Sequence, residues 1–330
     1  VAAGNIQIPD SIEQGKFILR AFTDYQKSLG ENTFFYKTLK ISKLKSSSEA
    51  QEEKPTVKQE VKPEIDVAFL PEGGFLLARQ ANIIGIKSVD KNGNGVAVQG
   101  EILDSKGQTV AQFKTEYKGM GLLHFIPAEG ETYTASIPGY PNSSYDFSPA
   151  TRDGIKFQFI METDENLLFQ ATTNSTKFQN ENYYFAIMHR GELLFYEEFV
   201  QKDKNTTIKV DKAVLQPGIN RLVLMDKKLK PISERLYFSK NFELSDVEVQ
   251  LNQEEYSTRS NVQLELIENN EYSDASYSSL SVSVVDEKAI GQNGPSVNIL
   301  SWLLIDSELN GNIESPADFF AGDADMASAR

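Results

Sequence analysis

The sequence predicts an all-β fold of tandem antiparallel β-sandwiches of the immunoglobulin-like type, and three observations support this prediction. Apolar and polar residues alternate with a period of two through much of the 330-residue chain, which is the pattern of half-buried strands. Turns rich in glycine and asparagine separate these runs at intervals of about eight to twelve residues, as in sandwich domains. Phe and Tyr are frequent, with 20 and 13 copies, and their rings suit the pleated surface of a sheet.

Residues 1–44 are predicted to form a hairpin. The alternating runs 15–26 and 33–42 flank a turn that begins at Gly30. A two-stranded sheet is only marginally stable by itself. We therefore expect this segment to be the C-terminal part of a sandwich.

The segment 45–64 differs in composition from its surroundings. It consists of Lys, Glu, Ser, Gln and Pro with almost no apolar content. Such a segment buries too little surface to offset its ordering entropy, and Pro55 and Pro63 interrupt a helical interpretation. We predict a mobile charged linker.

Residues 65–149 give the clearest sandwich pattern. Short runs such as Asn-Gly-Asn-Gly at 92–95 and Ser-Lys-Gly-Gln at 105–108 separate alternating segments, and these residue types favour tight turns. The predicted strands are 66–73, 75–90, 96–104, 109–117, 121–128 and 132–139.

Residues 150–240 repeat this style and predict a second complete sandwich. His189 and Gly191 lie at the tip of a predicted hairpin, and turns are expected at Pro217 and at 226–229. The predicted strands are 155–162, 167–174, 182–200 (with the hairpin tip inside it), 206–226 and 235–239.

Residues 241–330 predict a further sandwich that is possibly incomplete. Strands are expected at 247–252, 261–269 and 277–287, and the apolar spacing near 299–309 favours a short helix. No closing strand follows, so we expect the chain to be an internal fragment of a longer protein. Trp302 lies among apolar residues and is predicted to be a core or interdomain anchor.

The composition excludes several kinds of chemistry. A chain with no cysteine has no disulfide, thiolate nucleophile, thiol-ligated metal or thioester. The two histidines, His124 and His189, are too few for a histidine-rich metal site. The formal net charge of −14 disfavours binding to nucleic acid, and no run approaches the ~18 apolar residues that span a bilayer.

One motif matches a known calcium-binding pattern. Asp90, Asn92, Asn94, Gly95 and Glu101 have the spacing of the loop that wraps calcium between two helices. Here the flanking segments predict strands instead of helices. We therefore favour a hairpin turn, in which the Asn-Gly pairs supply positive φ angles, and keep a calcium site as the alternative.

No other motif predicts a catalytic or binding site. His124 is expected to point away from the core as a partly exposed strand residue, and Gly119 to Gly121 are expected to form a loop without phosphate-binding character. The sequons at Asn142, Asn174 and Asn205 are short enough to arise by chance, and we assign them no function. We thus predict no catalytic residue, no cofactor and no metal site.

Three segments resemble the macroglobulin-type multidomain extracytoplasmic proteins of Bacteroidetes. Residues 8–41 resemble the closing strands of a macroglobulin-type domain, residues 69–137 are similar to the next domain, and residues 279–320 resemble a segment that precedes a carboxyl-terminal region. That later region often resembles the plug of a TonB-dependent receptor and is absent here. Protease trapping by a thioester does not carry over, because the chain lacks cysteine.

These observations lead to three functional hypotheses. The first is a non-enzymatic cell-envelope protein, a structural and interaction array in the periplasm or at the outer membrane, with no transmembrane segment in this chain and an unknown protein or glycan partner. The second is a carbohydrate- or protein-binding module associated with TonB-dependent transport, which requires an exposed aromatic cluster. The third is an enzyme with a site made only of carboxylates, which requires a concave pocket holding two acids. We favour the first.

Overall fold

The computed structural model describes residues 7, 9, 12, 15–41, 64–140, 144–241, 247–268, 297–309, 311 and 313–320. The chain divides into two compact units, 1–60 and 61–330. The predicted linker, apart from Glu64, the predicted strand 277–287, Asn142 and the residues after Phe320 lie outside the described residues.

The first unit contains a two-stranded antiparallel sheet. Strands β1 (Gly15–Ala21) and β2 (Phe35–Ile41) pair along their whole length, as the alternation predicts. The first strand is shorter than predicted, because Thr23 starts helix α1 (Asp24–Leu29) with a capping box. A 3-10 turn at Glu31–Thr33 completes the connection.

In the second unit, residues 65–140 and 144–147 form a sandwich of two antiparallel sheets. One sheet has the strand order β3-β4-β7 and the other β6-β5-β8-β9. The strands are β3 (Ile65–Pro71), β4 (Asn82–Asp90), β5 (Gln99–Leu103), β6 (Thr109–Lys114), β7 (Met120–Phe125), β8 (Thr134–Ser136) and β9 (Ser144–Asp146). Their inward residues, among them Ile84, Ile102 and Phe125, form one hydrophobic core.

The strand predicted at 75–90 begins only at Asn82. Leu76, Leu77 and Ala78 are buried in a loop, and Arg79 has a φ angle of 61°, which a strand does not tolerate. The Asn82 side chain holds this loop, because its Oδ1 accepts from Leu77 N–H at 2.9 Å and its Nδ2 donates to Leu77 O at 3.0 Å.

Residues 155–239 form a second sandwich with a separate hydrophobic core that includes Phe157, Phe169 and Phe185. Its sheets have the orders β10-β11-β14 and β13-β12-β15-β16. The strands are β10 (Ile155–Glu162), β11 (Asn166–Thr173), β12 (Asn182–His189), β13 (Glu192–Val200), β14 (Asn205–Asp211), β15 (Gly218–Met225) and β16 (Pro231–Ser239). One further 3-10 turn, Thr176–Phe178, follows β11.

The strand predicted at 206–226 is two strands. A 3-10 turn at Lys212–Val214 separates β14 from β15. The Asp211 carboxylate accepts from Ala213 N–H at 2.8 Å, an interaction that starts a turn and competes with the sheet ladder.

The last part of the described chain contains a hairpin and helical turns. Strands β17 (Val247–Leu251) and β18 (Leu264–Glu268) pair with each other. Helix α2 (Ile299–Ser301) continues as a π-helical turn, Trp302–Asp306, and a 3-10 turn follows at Pro316–Phe320. No helix among the described residues is long and apolar enough to cross a membrane.

The prediction for Trp302 is wrong. Its side chain is 56% exposed, whereas Ile305, three residues further on, is buried. The helical turn directs Ile305 toward the sandwiches and places Trp302 on the outer side.

Candidate functional site

An open cleft of about 1340 Å³ lies where the first sandwich meets the second. The outer face of β4, the strands β6 and β7, and two side chains of the second sandwich, Phe159 and Arg235, line it. A concave surface with an apolar floor at a domain boundary is a usual place for ligand binding. We therefore take this cleft as the candidate site.

A glycine forms a hollow in the floor of the cleft. Leu70, Gly85 and Leu122 are directly opposite one another on β3, β4 and β7. Leu70 is 59% exposed and Leu122 is 53% exposed. Because the central position has no side chain, the two leucines stand on either side of a gap that an apolar group can enter.

A network of polar contacts connects the two sandwiches, and two of its residues, Glu72 and Arg235, line one side of the cleft. We call this network the joint. It consists of Glu72 and Asn82 from the first sandwich and Lys156, Ser233 and Arg235 from the second. The Lys156 ammonium is completely buried. It donates to Asn82 Oδ1 at 2.7 Å and to the carbonyl oxygens of Glu72 and Phe75 at 3.1 and 3.3 Å.

Burial lowers the pKa of Lys156 to about 8, because the charged form loses its hydration. The three acceptors around the ammonium match its three N–H donors. The group is therefore protonated at neutral pH and ties three backbone and side-chain oxygens of the first sandwich to β10.

Glu72 and Arg235 form the part of the joint that reaches the cleft. The Glu72 side chain is 6% exposed, and its Oε1 pairs with the Arg235 guanidinium and accepts from Phe159 N–H at 2.9 Å. The guanidinium also lies over the Phe159 ring, 5.1 Å from its centroid. Burial lowers the pKa of Arg235, and the paired carboxylate keeps the buried charge compensated.

Ser233 and Gln158 complete the contact between the sandwiches. Ser233 Oγ donates to Gly73 O at 3.1 Å. In the amide orientation that satisfies both groups, Gln158 donates to Ala81 O and accepts from Ile83 N–H, each at 3.1 Å. The joint is thus polar and densely hydrogen-bonded.

Residues 297–320, as far as the structure describes them, run across both sandwiches, and we call them the strap. On the first sandwich, Asp318 Oδ2 accepts from Lys118 Nζ and Tyr117 Oη, both at 2.5 Å. Glu314 Oε2 accepts from Gly95 N–H at 2.8 Å and lies 3.6 Å from Lys87 Nζ.

On the second sandwich, the strap contacts the hairpin tip and the start of β15. Arg190 donates to Glu308 Oε1 at 2.8 Å and to Leu303 O at 2.7 Å. The backbone of Leu304 approaches Gly218 so closely that a Cβ at position 218 would lie 3.0 Å from its carbonyl oxygen.

The sequence around Asp90 forms a hairpin turn. Asp90 Oδ1 accepts from the N–H groups of Asn92 and Asn94 at 2.8 and 2.9 Å, and these hydrogen bonds lower the pKa of Asp90. Gly93 has a φ angle of 81°. Glu101 lies in β5 and accepts from the side chains of Thr109 and Gln112 at 3.0 and 3.1 Å.

The histidines lie where the sequence predicts them. His124 is exposed on β7, between the buried Leu123 and Phe125. His189 ends β12 at the hairpin tip, and its Nδ1 lies 3.0 Å from Ile219 O. The loop expected at Gly119 to Gly121 is wrong in part, because β7 begins at Met120.

Three carboxylates line the cleft: Glu72, Glu101 and Glu116. The pocket that the carboxylate-enzyme hypothesis requires is therefore present. Glu72 pairs with Arg235, Glu101 accepts from two neighbouring side chains, and Glu116 lies 3.5 Å from Lys114 Nζ. These contacts favour a structural role for each of them.

A pair of tyrosines lies on the outer face of the second sandwich. The rings of Tyr184 and Tyr196 stack with centroids 5.4 Å apart and an interplanar angle of 15°, and Tyr196 is 49% exposed. Directly opposite Tyr196 of β13 is Ala186 of β12, and directly opposite Ala186 is Val223 of β15. Ala186 and Val223 are buried, so the exposed part of this row is the aromatic ridge itself.

Sequence reasoning missed the joint. Lys156 and Gln158 alternate with core residues along β10, which normally indicates a solvent-facing side of a strand. They are buried because the first sandwich packs against that side. The alternation of polar and apolar residues within one domain does not indicate a contact with the neighbouring domain.

No family model and no curated protein matches the chain. Solved structures to which it is similar include alpha-2-macroglobulin of E. coli (12% identity, TM-score 0.22) and a Salmonella alpha-2-macroglobulin mutant (9%, 0.25), each match covering 78% of this chain and 20% of the other. A third is the adhesin InvE of Yersinia pseudotuberculosis (10%, 0.20), with 52% of this chain and 58% of that one covered. The chain thus spans about a fifth of the length of these macroglobulins. The all-β fold class rests on the antiparallel sheets described above.

Proposed function

We propose that this chain is a non-enzymatic interaction array of the cell envelope, whose two sandwiches form one binding unit with the cleft as its interaction surface. The joint carries this proposal, because a buried ammonium with three acceptors and a buried ion pair fix the walls of the cleft from both sandwiches. A binding surface that is preorganised in this way loses less entropy when a partner binds.

The extracytoplasmic location and the membership of a larger outer-membrane or periplasmic protein of Bacteroidetes belong to this proposal. They derive from the resemblance of residues 8–41, 69–137 and 279–320 to macroglobulin-type proteins. A TonB-dependent receptor is the expected context. Fractionation of the full-length protein in its natural host tests this part, and a cytosolic protein contradicts it.

Site-specific photocrosslinking in that host tests the cleft. A benzoylphenylalanine at Leu122 in the cleft is compared with one at Leu229, which is 57% exposed on a turn of the second sandwich. We expect a discrete protein adduct from position 122 and none of that size from position 229. The same adducts from both positions, or none from position 122, would contradict the proposal.

The stacked Tyr184 and Tyr196 favour a second candidate function, glycan binding. Exposed aromatic rings bury the apolar faces of ligands, and the neighbouring polar groups Glu234 and Arg221 offer hydrogen bonds to hydroxyls. A glycan array is the test: Tyr196→Ala should abolish binding, whereas Tyr25→Ala, at an exposed tyrosine of the first unit, should preserve it. If the wild-type protein gives no signal on the array, glycan binding is excluded.

A further inference from the structure

Strand β7 ends one sheet of the first sandwich and lies along the cleft. In the order β3-β4-β7, one side of β7 has no partner strand among the described residues. Met120, Gly121 and Leu122 of this strand all line the cleft. An open strand edge beside a cleft is a geometry to which an extended segment can add as a further strand.

The register shows which backbone groups face the open side. Ser88 N–H donates to Gly119 O at 2.8 Å, which makes these residues a hydrogen-bonded pair at the end of the β4–β7 ladder. Such pairs alternate with non-hydrogen-bonded ones. The N–H and C=O groups of Leu122 and His124 therefore point away from β4. The N–H and C=O groups of Met120 also point away from β4, and they form hydrogen bonds with Tyr117 and Glu116 in the preceding turn.

The side chains around this edge define the chemistry of the segment. Leu122, which is 53% exposed on β7 itself, offers an apolar surface to the residue directly opposite it on an added strand. The cleft is lined by three acidic and three basic side chains, namely Glu72, Glu101, Glu116, Lys87, Lys114 and Arg235. This balance favours a segment without net charge.

Another long edge strand in the molecule is built differently. Strand β13 ends its sheet, and its Glu197 is directly opposite the core residue Phe185. A charge on the core-facing side of an edge strand discourages pairing with a further strand. On β7 the core-facing residues Leu123 and Phe125 are apolar and buried, so no charge on this side of the strand discourages pairing at Leu122 and His124.

We propose that the β7 edge binds an extended, uncharged, apolar segment of a partner protein as an added strand. The backbone of the segment pairs with Leu122 and His124, and one of its apolar side chains packs beside the exposed Leu122 side chain. This inference rests on the interaction role proposed for the cleft and specifies the partner.

The test uses fluorescein-labelled octapeptides of alternating valine and threonine, with fluorescence anisotropy as the measurement. A matched peptide carries N-methyl groups on alternate residues, which remove the backbone donors on one edge. His124→Pro removes one N–H of the open edge and leaves the ladder with β4 intact. His124→Ala is its control, because it keeps the backbone donor.

We expect the wild type and His124→Ala to bind the unmodified peptide within about twofold of each other, since side-chain removal leaves the edge donor in place. His124→Pro or peptide N-methylation should weaken binding at least about tenfold, a factor that corresponds to the loss of one or two hydrogen bonds. Equal affinities for the N-methylated and unmodified peptides would overturn strand addition even if His124→Pro does not fold. No binding by the wild type would overturn it as well, whereas the photocrosslinking comparison reports on the cleft independently of this result.

Discussion

Lys156 is the single residue on which the contact between the sandwiches depends most. Its ammonium donates to three oxygens of the first sandwich, and two of them are backbone carbonyl oxygens. Its role could not be predicted from sequence, because a lysine that alternates with core residues on a strand ordinarily faces solvent.

Lys156→Met should lower the free energy of unfolding by about 2 kcal/mol, because it removes the ammonium donor from the carbonyl oxygens of Glu72 and Phe75, whereas Asn82 Oδ1 keeps its hydrogen bond from Leu77 N–H. Urea denaturation at pH 7 measures the change. Lys209→Met, at an exposed position of β14, is the control and should stay within about 0.5 kcal/mol of the wild type. Equal midpoints and slopes for the two variants would show that the joint contributes nothing to stability.

Lys156 also predicts a pH dependence of stability. Its pKa is about 8 in the folded protein and about 10.4 in an unfolded chain. Between these two pH values the unfolded state binds more protons than the folded state, so the free energy of unfolding rises with pH. Below pH 8 both states carry a protonated Lys156, and the protein has the full cost of burying the charge. The gap in unfolding free energy between the wild type and Lys156→Met should widen between pH 8 and 10 by on the order of 2–3 kcal/mol. A constant gap across this range contradicts the prediction.

At the scale of elements, the alternation of the sequence predicted most strands correctly, and the all-β fold class is confirmed. The errors arise where a side chain binds nearby backbone: Thr23 starts a helix, Asp211 starts a turn and Asn82 holds a loop. Such local hydrogen bonds compete with sheet formation. They depend on three-dimensional geometry that a period-two pattern does not contain.

The strap makes a testable element-level prediction through Asp318. Burial raises the pKa of this carboxyl, but hydrogen bonds from Lys118 and Tyr117 outweigh that effect, and its pKa lies below the ordinary value. Its contribution to strap docking is therefore present above pH ~4 and is lost as pH falls below it. Asp318→Asn should raise hydrogen exchange of strap amides about threefold to tenfold at pH 7.

The control for the strap is Asp146→Asn, at an exposed position of β9. This variant should leave strap exchange unchanged. Unchanged exchange in Asp318→Asn would show that the contacts of Asp318 with Lys118 and Tyr117 do not hold the strap in place.

At the scale of the whole second unit, the joint couples the two sandwiches on one side and the strap contacts both of them. Two hydrophobic cores, one around Ile84 and Ile102 and one around Phe157 and Phe169, lie in this unit. The coupling could not be predicted, because it depends on contacts between residues far apart in sequence, such as Glu72 with Arg235 and Tyr117 with Asp318. Through that coupling, Phe159 and Arg235 of the second sandwich come to line the cleft.

The distance between the sandwiches in solution tests this central claim most directly. The chain has no cysteine, so spin labels can be attached at Lys106→Cys and Lys228→Cys, two exposed turn positions on different sandwiches, and measured by pulsed dipolar spectroscopy. We predict one narrow distance distribution, which broadens when Lys156→Met and Asp318→Asn are introduced together. A broad distribution in the otherwise unchanged chain would contradict the account, because the two sandwiches would then move independently and form no fixed cleft.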